Sequence, residues 1–280
     1  MQPHHDRVEL DDSSLNANIE EADIKTVLHA MHSSNSEIKR IVVLSQDTDV
    51  LVLFLHHWSA LNSQGLEELW IKSGVADTSR YIPLHSLSAK IGPELCRNLP
   101  AIHSLTGCDF TSKFGTKLAS LQANPGLYLQ DFGFLNRNKE KQVASAKQYL
   151  CNVKKKGTQC KTMDQLRSYL YHHAKSPDLP PTSCDTRLHI LRAFYATNLM
   201  MNGAPNNYES LDQLVYGFEL VDGLLMPQSG ENYIPEEWTT RCGCVKRAKE
   251  SCSCRQRDLP CCSFCKCRSL VGSECKNPLG

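Results

Sequence analysis

The sequence predicts an α/β layer fold with a helical extension and a small zinc-stapled, cysteine-rich tail, and three observations predict it. The run Ile41 to Phe54, IVVLSQDTDVLVLF, opens as a short apolar strand and ends that strand in two aspartates one residue apart. Around it, apolar periodicity alternates between helix and strand as far as Gly107, the pattern of a layered α/β domain. Nine of the fourteen cysteines fall between Cys242 and Cys275, which sets the carboxyl-terminal segment apart by composition alone.

At 280 residues the chain can bury one sizeable core or two smaller ones, and 41% hydrophobic residues suit a folded protein. The net charge of +1 gives no global attraction to nucleic acid or membrane, so any such preference must be local. MQPHHDRVELDD is not a basic-then-apolar leader, and the longest apolar run, Val50 to Leu55, is far too short to cross a bilayer. The expectation is a soluble intracellular protein with no membrane partner, in which clustered cysteines are metal thiolates rather than disulfides.

Residues 1–17 are polar and are expected to be disordered. Asn18, three residues before Glu21, opens a helix in which Ile24, Val27, Leu28 and Met31 recur at helical spacing. A turn from Ser33 to Lys39 leads to a buried strand, Ile41 to Leu44, and then to a helix from Asp49 to about Trp58. Leu69 to Ile71 and Tyr81 to Leu84 read as short strands, and Pro93 opens a helix that runs through Leu95, Leu99, Ile102 and Leu105 to Gly107. Beyond Phe114 the chain turns helical, with segments at Leu118 to Leu121, Val143 to Leu150, Met163 to His173 and Thr186 to Met201. Leu188, Leu191, Tyr195 and Leu199 form one apolar face expected to pack on the α/β layer, whereas Asn202 to Glu237 shows no assignable pattern.

Three acidic sites punctuate these elements: Glu20, Glu21 and Asp23 at the first helix, Asp47 and Asp49 after the strand, and Asp109 in HSLTGCDFT. Alternate residues of an extended chain point the same way, so Asp47 and Asp49 can face one point, where an open α/β sheet keeps its ligand. The plainer reading makes Asp47 a helix cap and the other acids residues favoured by helix dipoles. Carboxylates that do gather need a cation between them, and hard oxygen ligands suit Mg²⁺ or Mn²⁺. Two such ions, about 4 Å apart, activate water and stabilise the leaving oxygen in phosphodiester hydrolysis.

These residues resemble a known family. SQDTDVLVL resembles the Asp-x-Asp motif of flap endonucleases and related PIN-like nucleases, IEEADIKTVLHA resembles their acidic helix, and LTGCDFTSKFGTK resembles their Gly-Ser/Cys-Asp-Tyr segment, in the same order. The resemblance covers about residues 18–120 and implies a partial PIN-like, three-layer domain in which Glu21, Asp23, Asp47, Asp49 and Asp109 bind divalent metal for cutting nucleic acid. It also implies what this sequence lacks: an opening strand with a further aspartate, a second acidic residue, and a full Gly-rich turn in place of Phe114 to Lys117. The expected domain is therefore the carboxyl half of a nuclease-like fold, followed by a helical extension over residues 121–240. With the LPPT segment and the cysteine tail, the layout is similar to that of mobile-element-associated animal proteins.

The tail, residues 241–280, carries Cys-x-Cys pairs at Cys242 and Cys244, Cys252 and Cys254, and Cys265 and Cys267, with Cys261, Cys262 and Cys275 besides. Thiolates at this density bind Zn²⁺, and a segment with almost no apolar core needs the metal to fold. Nine cysteines complete either two mononuclear sites with one thiol spare or one bridged three-zinc cluster. The tail is similar to the CXC domains of tesmin-like and chromatin-associated proteins, which resemblance implies the bridged cluster, DNA binding and a nuclear location. Against that pattern, a cysteine expected before Cys252 is absent and Cys261 is followed by Cys262. Nine Lys or Arg against three Asp or Glu leave residues 241–280 at +6, enough to hold a phosphate backbone or merely to solvate a protein-interaction tail.

Asn152 to Gly157, NVKKKG, with Arg137, Lys139, Lys141 and Lys147 before it, offers a second basic stretch, for which solvation is the plainer role. His29 and His32 share a helix face without further ligands, and Cys108 has no evident base to make it a nucleophile. The expected function is a nucleic-acid-binding protein, with DNA the expected partner, on an incomplete nuclease-like scaffold. The alternatives are an active Mg²⁺- or Mn²⁺-dependent nuclease and a zinc-stapled protein-interaction module.

Overall fold

The computed structural model of the protein describes residues 21–34, 38–75, 78–173, 179–203, 211–230, 242–244, 252–257, 261 and 265–266. They belong to two compact units, one within residues 1–166 and 180–228 and the other within 167–179 and 229–280. Asn18, Glu20 and the remainder of the first 20 residues lie outside the described residues, as do Cys262, Cys267 and Cys275.

The first unit is mixed α/β. Helix α1 (Ala22–Ser34) leads to strand β1 (Arg40–Leu44), and α2 (Thr48–Ser63) crosses over to β2 (Glu68–Ser73), which pairs parallel to β1 with Ile41 opposite Leu69 and Val43 opposite Ile71. Strand β3 (Arg80–Pro83) returns antiparallel, placing Ile82 opposite Ile71. The sheet order is β1-β2-β3, so β1 stands at an edge. A buried strand was expected there; instead Val43 alone is buried, while Val42 and Leu44 on the other face are 43% and 76% exposed. Pairing on one side only, with one covered face, is enough to hold the strand.

Pro83 ends β3, and Leu84 opens α3 (Leu84–Ile91), a helix not expected from the sequence. Helix α4 (Pro93–Thr106) starts on Pro93 as expected and carries Pro100 inside it. That proline has no N–H to offer the Cys96 carbonyl, and the His56 ring lies against the carbonyls of Arg97 and Cys96 instead. Then come α5 (Lys117–Gln122), the one-turn α6 (Pro125–Tyr128), α7 (Lys139–Lys154), α8 (Met163–His173), whose residues from Arg167 on fall in the second unit, and α9 (Ser183–Asn202).

Helix α9 is buried on nearly all sides rather than along one stripe, because it threads between α4, α2 and α7. Phe194 is 1% exposed between the rings of Phe132 and Tyr216, at centroid distances of 5.6 and 5.5 Å, and Asn198 Nδ2 donates to the Gly133 carbonyl at 2.8 Å. The segment without assignable pattern contains a hairpin, β4 (Phe218–Val221) with β5 (Leu224–Pro227), closed by Asp222 and Gly223, both at positive φ.

Two buried histidines, His57 and His189, and the half-buried His56 tie this core together and set its acid limit. His57 and His189 hydrogen-bond through Nε2 to the carbonyls of Met200 and Leu105, each at 2.9 Å, so both rings donate and stay neutral. Burial lowers all three below the usual imidazole value, and burial with the neighbouring His57 takes His56 to about 4. A lowered folded value means that the unfolded chain binds more protons, so stability is fully present above pH 6.5 and falls as pH drops below it. Urea unfolding at pH 7 and pH 5 should show a loss of about 2 kcal/mol or more on acidification, reduced by His56→Gln.

Candidate functional site

Two clusters of chemistry-bearing side chains are built by these elements, one in each unit. In the first unit, Asp47 follows β1 and caps α2: its Oδ1 accepts from Asp49 N–H at 2.9 Å, and its own N–H donates to Ser45 Oγ at 3.0 Å. The cap reading of Asp47 therefore holds, and it turns both carboxylates towards one cleft. Asp49 Oδ1 lies 2.6 Å from His103 Nε2 on α4, the two side chains only 13% and 7% exposed.

Asp109 reaches the same cleft from the turn after α4. Gly107 there has φ +124°, and a Cβ on it would come within 2.9 Å of Lys113 Cα, so the chain can double back only at glycine. Cys108 and Thr111 exchange backbone hydrogen bonds at 3.3 and 3.0 Å across the turn, Thr111 Oγ1 donates to the Ser104 carbonyl at 2.6 Å, and Asp109 stands exposed at the tip. The open cleft, about 430 Å³, is lined by Asp47, Asp49, His103, Cys108, Asp109, Lys113 and their neighbours. Burial pushes the Cys108 thiol up, which keeps it protonated and argues against a nucleophile.

Asp23, on the half-buried side of α1, has its carboxyl pushed up by burial and by the charges of Asp47, Asp49 and Asp109. The four aspartates picked out in the sequence are thus electrostatic neighbours. Glu21 precedes α1, exposed and outside the cleft lining. Asp47 and Asp49 each use one carboxylate oxygen in the contacts above, and their second oxygens have no hydrogen-bond partner among the described residues. Carboxylate oxygens of this kind suit a hard divalent cation, and such an ion would offset the repulsion felt at Asp23, but among the described residues they do not gather into a ready-made shell as the thiols of the second unit do.

His103 was missed in the sequence, though a signal was there. It lies one helical turn before Thr106, which also lines the cleft, so the two share a helix face just ahead of the Gly-Cys-Asp turn.

In the second unit, the Sγ atoms of Cys242, Cys252, Cys254 and Cys261 all lie within 4.8 Å of one another, and all four residues are buried. Cys242 and Cys261 are 3.8 Å apart, the edge of a tetrahedron whose metal–sulfur bonds are about 2.3 Å. Cys265 approaches Cys254 at 3.5 Å, and Cys244 packs against the cluster. A turn of 3-10 helix, Arg255–Arg257, closes on the second pair through Gln256 N–H to the Cys252 carbonyl at 2.9 Å.

The charges of these thiols follow from that geometry. Burial pushes Cys252 up, but hydrogen bonds from the backbone at Arg255 and Cys254 and from Cys242 and Cys244 bring it to about 7. Burial and the bonds to Cys252 and Cys242 push Cys244 up to about 11, and burial with Cys265 raises Cys254. Four such thiols ionise together only around a cation, so their chemistry and spacing fit a metal ion. Of the nine tail cysteines, the structure brings together Cys242, Cys252, Cys254 and Cys261, with Cys244 and Cys265 beside them.

Comparison with known protein families, characterised proteins and solved structures gives no match for this chain. No helix among the described residues is long and apolar enough to cross a membrane.

Proposed function

We propose that this protein binds DNA through its zinc-stapled, basic tail, carried on an α/β domain with a nuclease-like carboxylate cleft. The observation that carries the reading is the gathering of four buried thiols within 4.8 Å in a segment whose sequence bears a net charge of +6. Zinc would be held by Cys242, Cys252, Cys254 and Cys261. It supplies the fixed centre that a segment with so little apolar core cannot make for itself. Cys254, which also approaches Cys265, stands where a sulfur can be shared by two ions, in keeping with the bridged cluster. Arg255, Arg257 and Lys266, exposed beside these thiols, then offer positive charge to a polyanion, which fits a nuclear, chromatin-associated role.

The cleft favours a second reading, Mg²⁺- or Mn²⁺-dependent phosphodiester hydrolysis, because Asp47, Asp49 and Asp109 all act on Asp23. In that reading the aspartates hold the ion, and the ion supplies the polarisation of a phosphoryl oxygen. His103 fixes the Asp49 carboxylate, as the protein partner of a metal-bound carboxylate does.

The proposal is tested by titrating the zinc-loaded chain with labelled duplex and single-stranded DNA over a range of salt, with and without a zinc chelator. The expected result is binding that weakens steeply with salt, with a slope near −0.9 for each duplex phosphate contacted, and that is lost to the chelator. Salt-independent binding, or none at all, would leave the tail as a protein-interaction module.

A further inference from the structure

The lysine run that ends α7 stands against the wall of the acidic cleft, although it lies some forty residues away from Asp109 in sequence. Lys113 and Gly115 line the cleft together with Asp47, Asp49 and Asp109. A Cβ on Gly115 would sit 2.6 Å from Val153 Cγ1, so the last turn of α7 packs directly on that wall. Between them, Lys154 Nζ lies 5.5 Å from the centre of the buried Phe114 ring.

The lysines beyond the helix end are held in an ordered turn. Lys155 N–H donates to the Cys151 carbonyl at 2.9 Å, Thr158 N–H to the Lys155 carbonyl at 3.2 Å, and Gly157 N–H to Asn152 Oδ1 at 3.2 Å. Gly157 at φ +70° is the third residue of this turn, the left-handed position that a type II turn gives to glycine, so Lys156 stands exposed at its second. A cation in the last turn of a helix is favoured by the dipole, which accounts for Lys154. It does not account for Lys156 beyond the helix, or for Lys113 on the cleft itself. Lys113 and Lys156 have no carboxylate partner among the described residues.

We propose that Lys113, Lys154, Lys155 and Lys156 form a rim that holds the phosphate backbone of a nucleic acid against the carboxylate cleft. A cleft lined by aspartates repels a polyanion, and a row of lysines along one wall is what brings it in. The inference rests on the nucleic-acid reading above but places a second contact surface on the α/β domain, separate from the cysteine tail.

The test uses the full, zinc-loaded chain and fluorescence anisotropy with labelled duplex DNA. It compares wild type, the rim variant Lys154→Gln/Lys155→Gln/Lys156→Gln, and an equally charged control, Lys39→Gln/Lys90→Gln/Lys161→Gln, none of whose positions lines the cleft. The rim variant should bind at least about tenfold more weakly near physiological salt and lose about 2 to 3 from the slope of log K against log salt, while the control keeps the wild-type slope. Lys154→Arg/Lys155→Arg/Lys156→Arg should restore binding, and Lys113→Gln, on a different element, should weaken it in the same direction. A rim variant that binds like wild type, or a control that loses as much, overturns the rim and leaves the tail reading standing. No DNA binding by the wild-type chain overturns both.

Discussion

Removing the metal should unfold the cysteine-rich unit while leaving the α/β unit intact. The protein as purified should carry zinc, and a strong chelator should release it with loss of amide protection at the described thiols and the Arg255–Arg257 turn. The magnitude follows from what else holds the unit. Among its described residues the buried cluster is Cys242, Cys252, Cys254, Cys261 and Cys265, thiols rather than hydrocarbon, with backbone hydrogen bonds such as Lys266 N–H to the Cys242 carbonyl at 3.0 Å beside it. Each such bond contributes about 1 kcal/mol, against about 10 kcal/mol or more for a structural zinc, so the metal decides whether the unit folds. Cys254→Ser should be the most damaging single change, because Cys254 lies within reach of both the other three thiols and Cys265. Its metal content should fall by at least one ion per chain, whereas Cys184→Ser, at an exposed cysteine of α9, should leave metal content unchanged. Full zinc retention in the Cys254 variant would show that this sulfur is not a ligand.

Much of the first unit was legible because local pattern and tertiary role agree there. The run that became α2 and the Pro93 start of α4 follow from caps, prolines and apolar spacing, and tertiary packing did not override them. Where the two disagree the sequence misled. Ile41 to Leu44 looks like a two-sided buried strand, yet which face is covered depends on partners distant in the chain, and Val42 and Leu44 remain exposed. α9 shows one apolar stripe, but Ala193, Ala196, Thr197 and Asn198 are buried as well because three helices surround it. Small and hydrogen-bonded residues leave no hydrophobic signal when buried. The β4–β5 hairpin was readable in principle, since Asp222-Gly223 between two apolar runs is a strong hairpin signal. At the site, the four aspartates could be picked out singly, but neither the Asp49–His103 contact nor the approach of α7 to the Gly115 wall has a sequence signature, because each joins residues far apart in the chain.

Mn²⁺ should raise the thermal midpoint of the α/β unit, and the double variant Asp47→Asn/Asp49→Asn should abolish that rise without unfolding the protein. Asparagine keeps both local tasks. It caps a helix about as well as aspartate, so the bond to residue 49 N–H survives, and its carbonyl can still accept from the nearly buried His103. Alanine at position 49 would instead strand His103 Nε2 at about 1 to 3 kcal/mol and confuse the result. Without metal, two small effects oppose each other in the double variant. Two negative charges are lost from the start of α2, where the dipole favours each by about 0.3 to 1 kcal/mol. In return, Asp23, whose carboxyl is pushed up by burial and then by Asp47, Asp49 and Asp109, is relieved of two of those neighbours. The metal-free midpoint should therefore move little. With Mn²⁺ at about 100 times its dissociation constant, the wild type should gain about 2.7 kcal/mol and the variant nothing. Asp23→Asn separates the terms by pH. A carboxyl raised in the folded state costs stability above pH 3.8 as it ionises, so this variant should exceed wild type in metal-free buffer at neutral pH and lose the advantage as pH falls to 3.8. An equal Mn²⁺ response in wild type and double variant would place the cation elsewhere. A response that depends on Asp47 and Asp49 yet brings no cutting of labelled DNA would mean a cleft that binds metal without hydrolysing phosphodiesters.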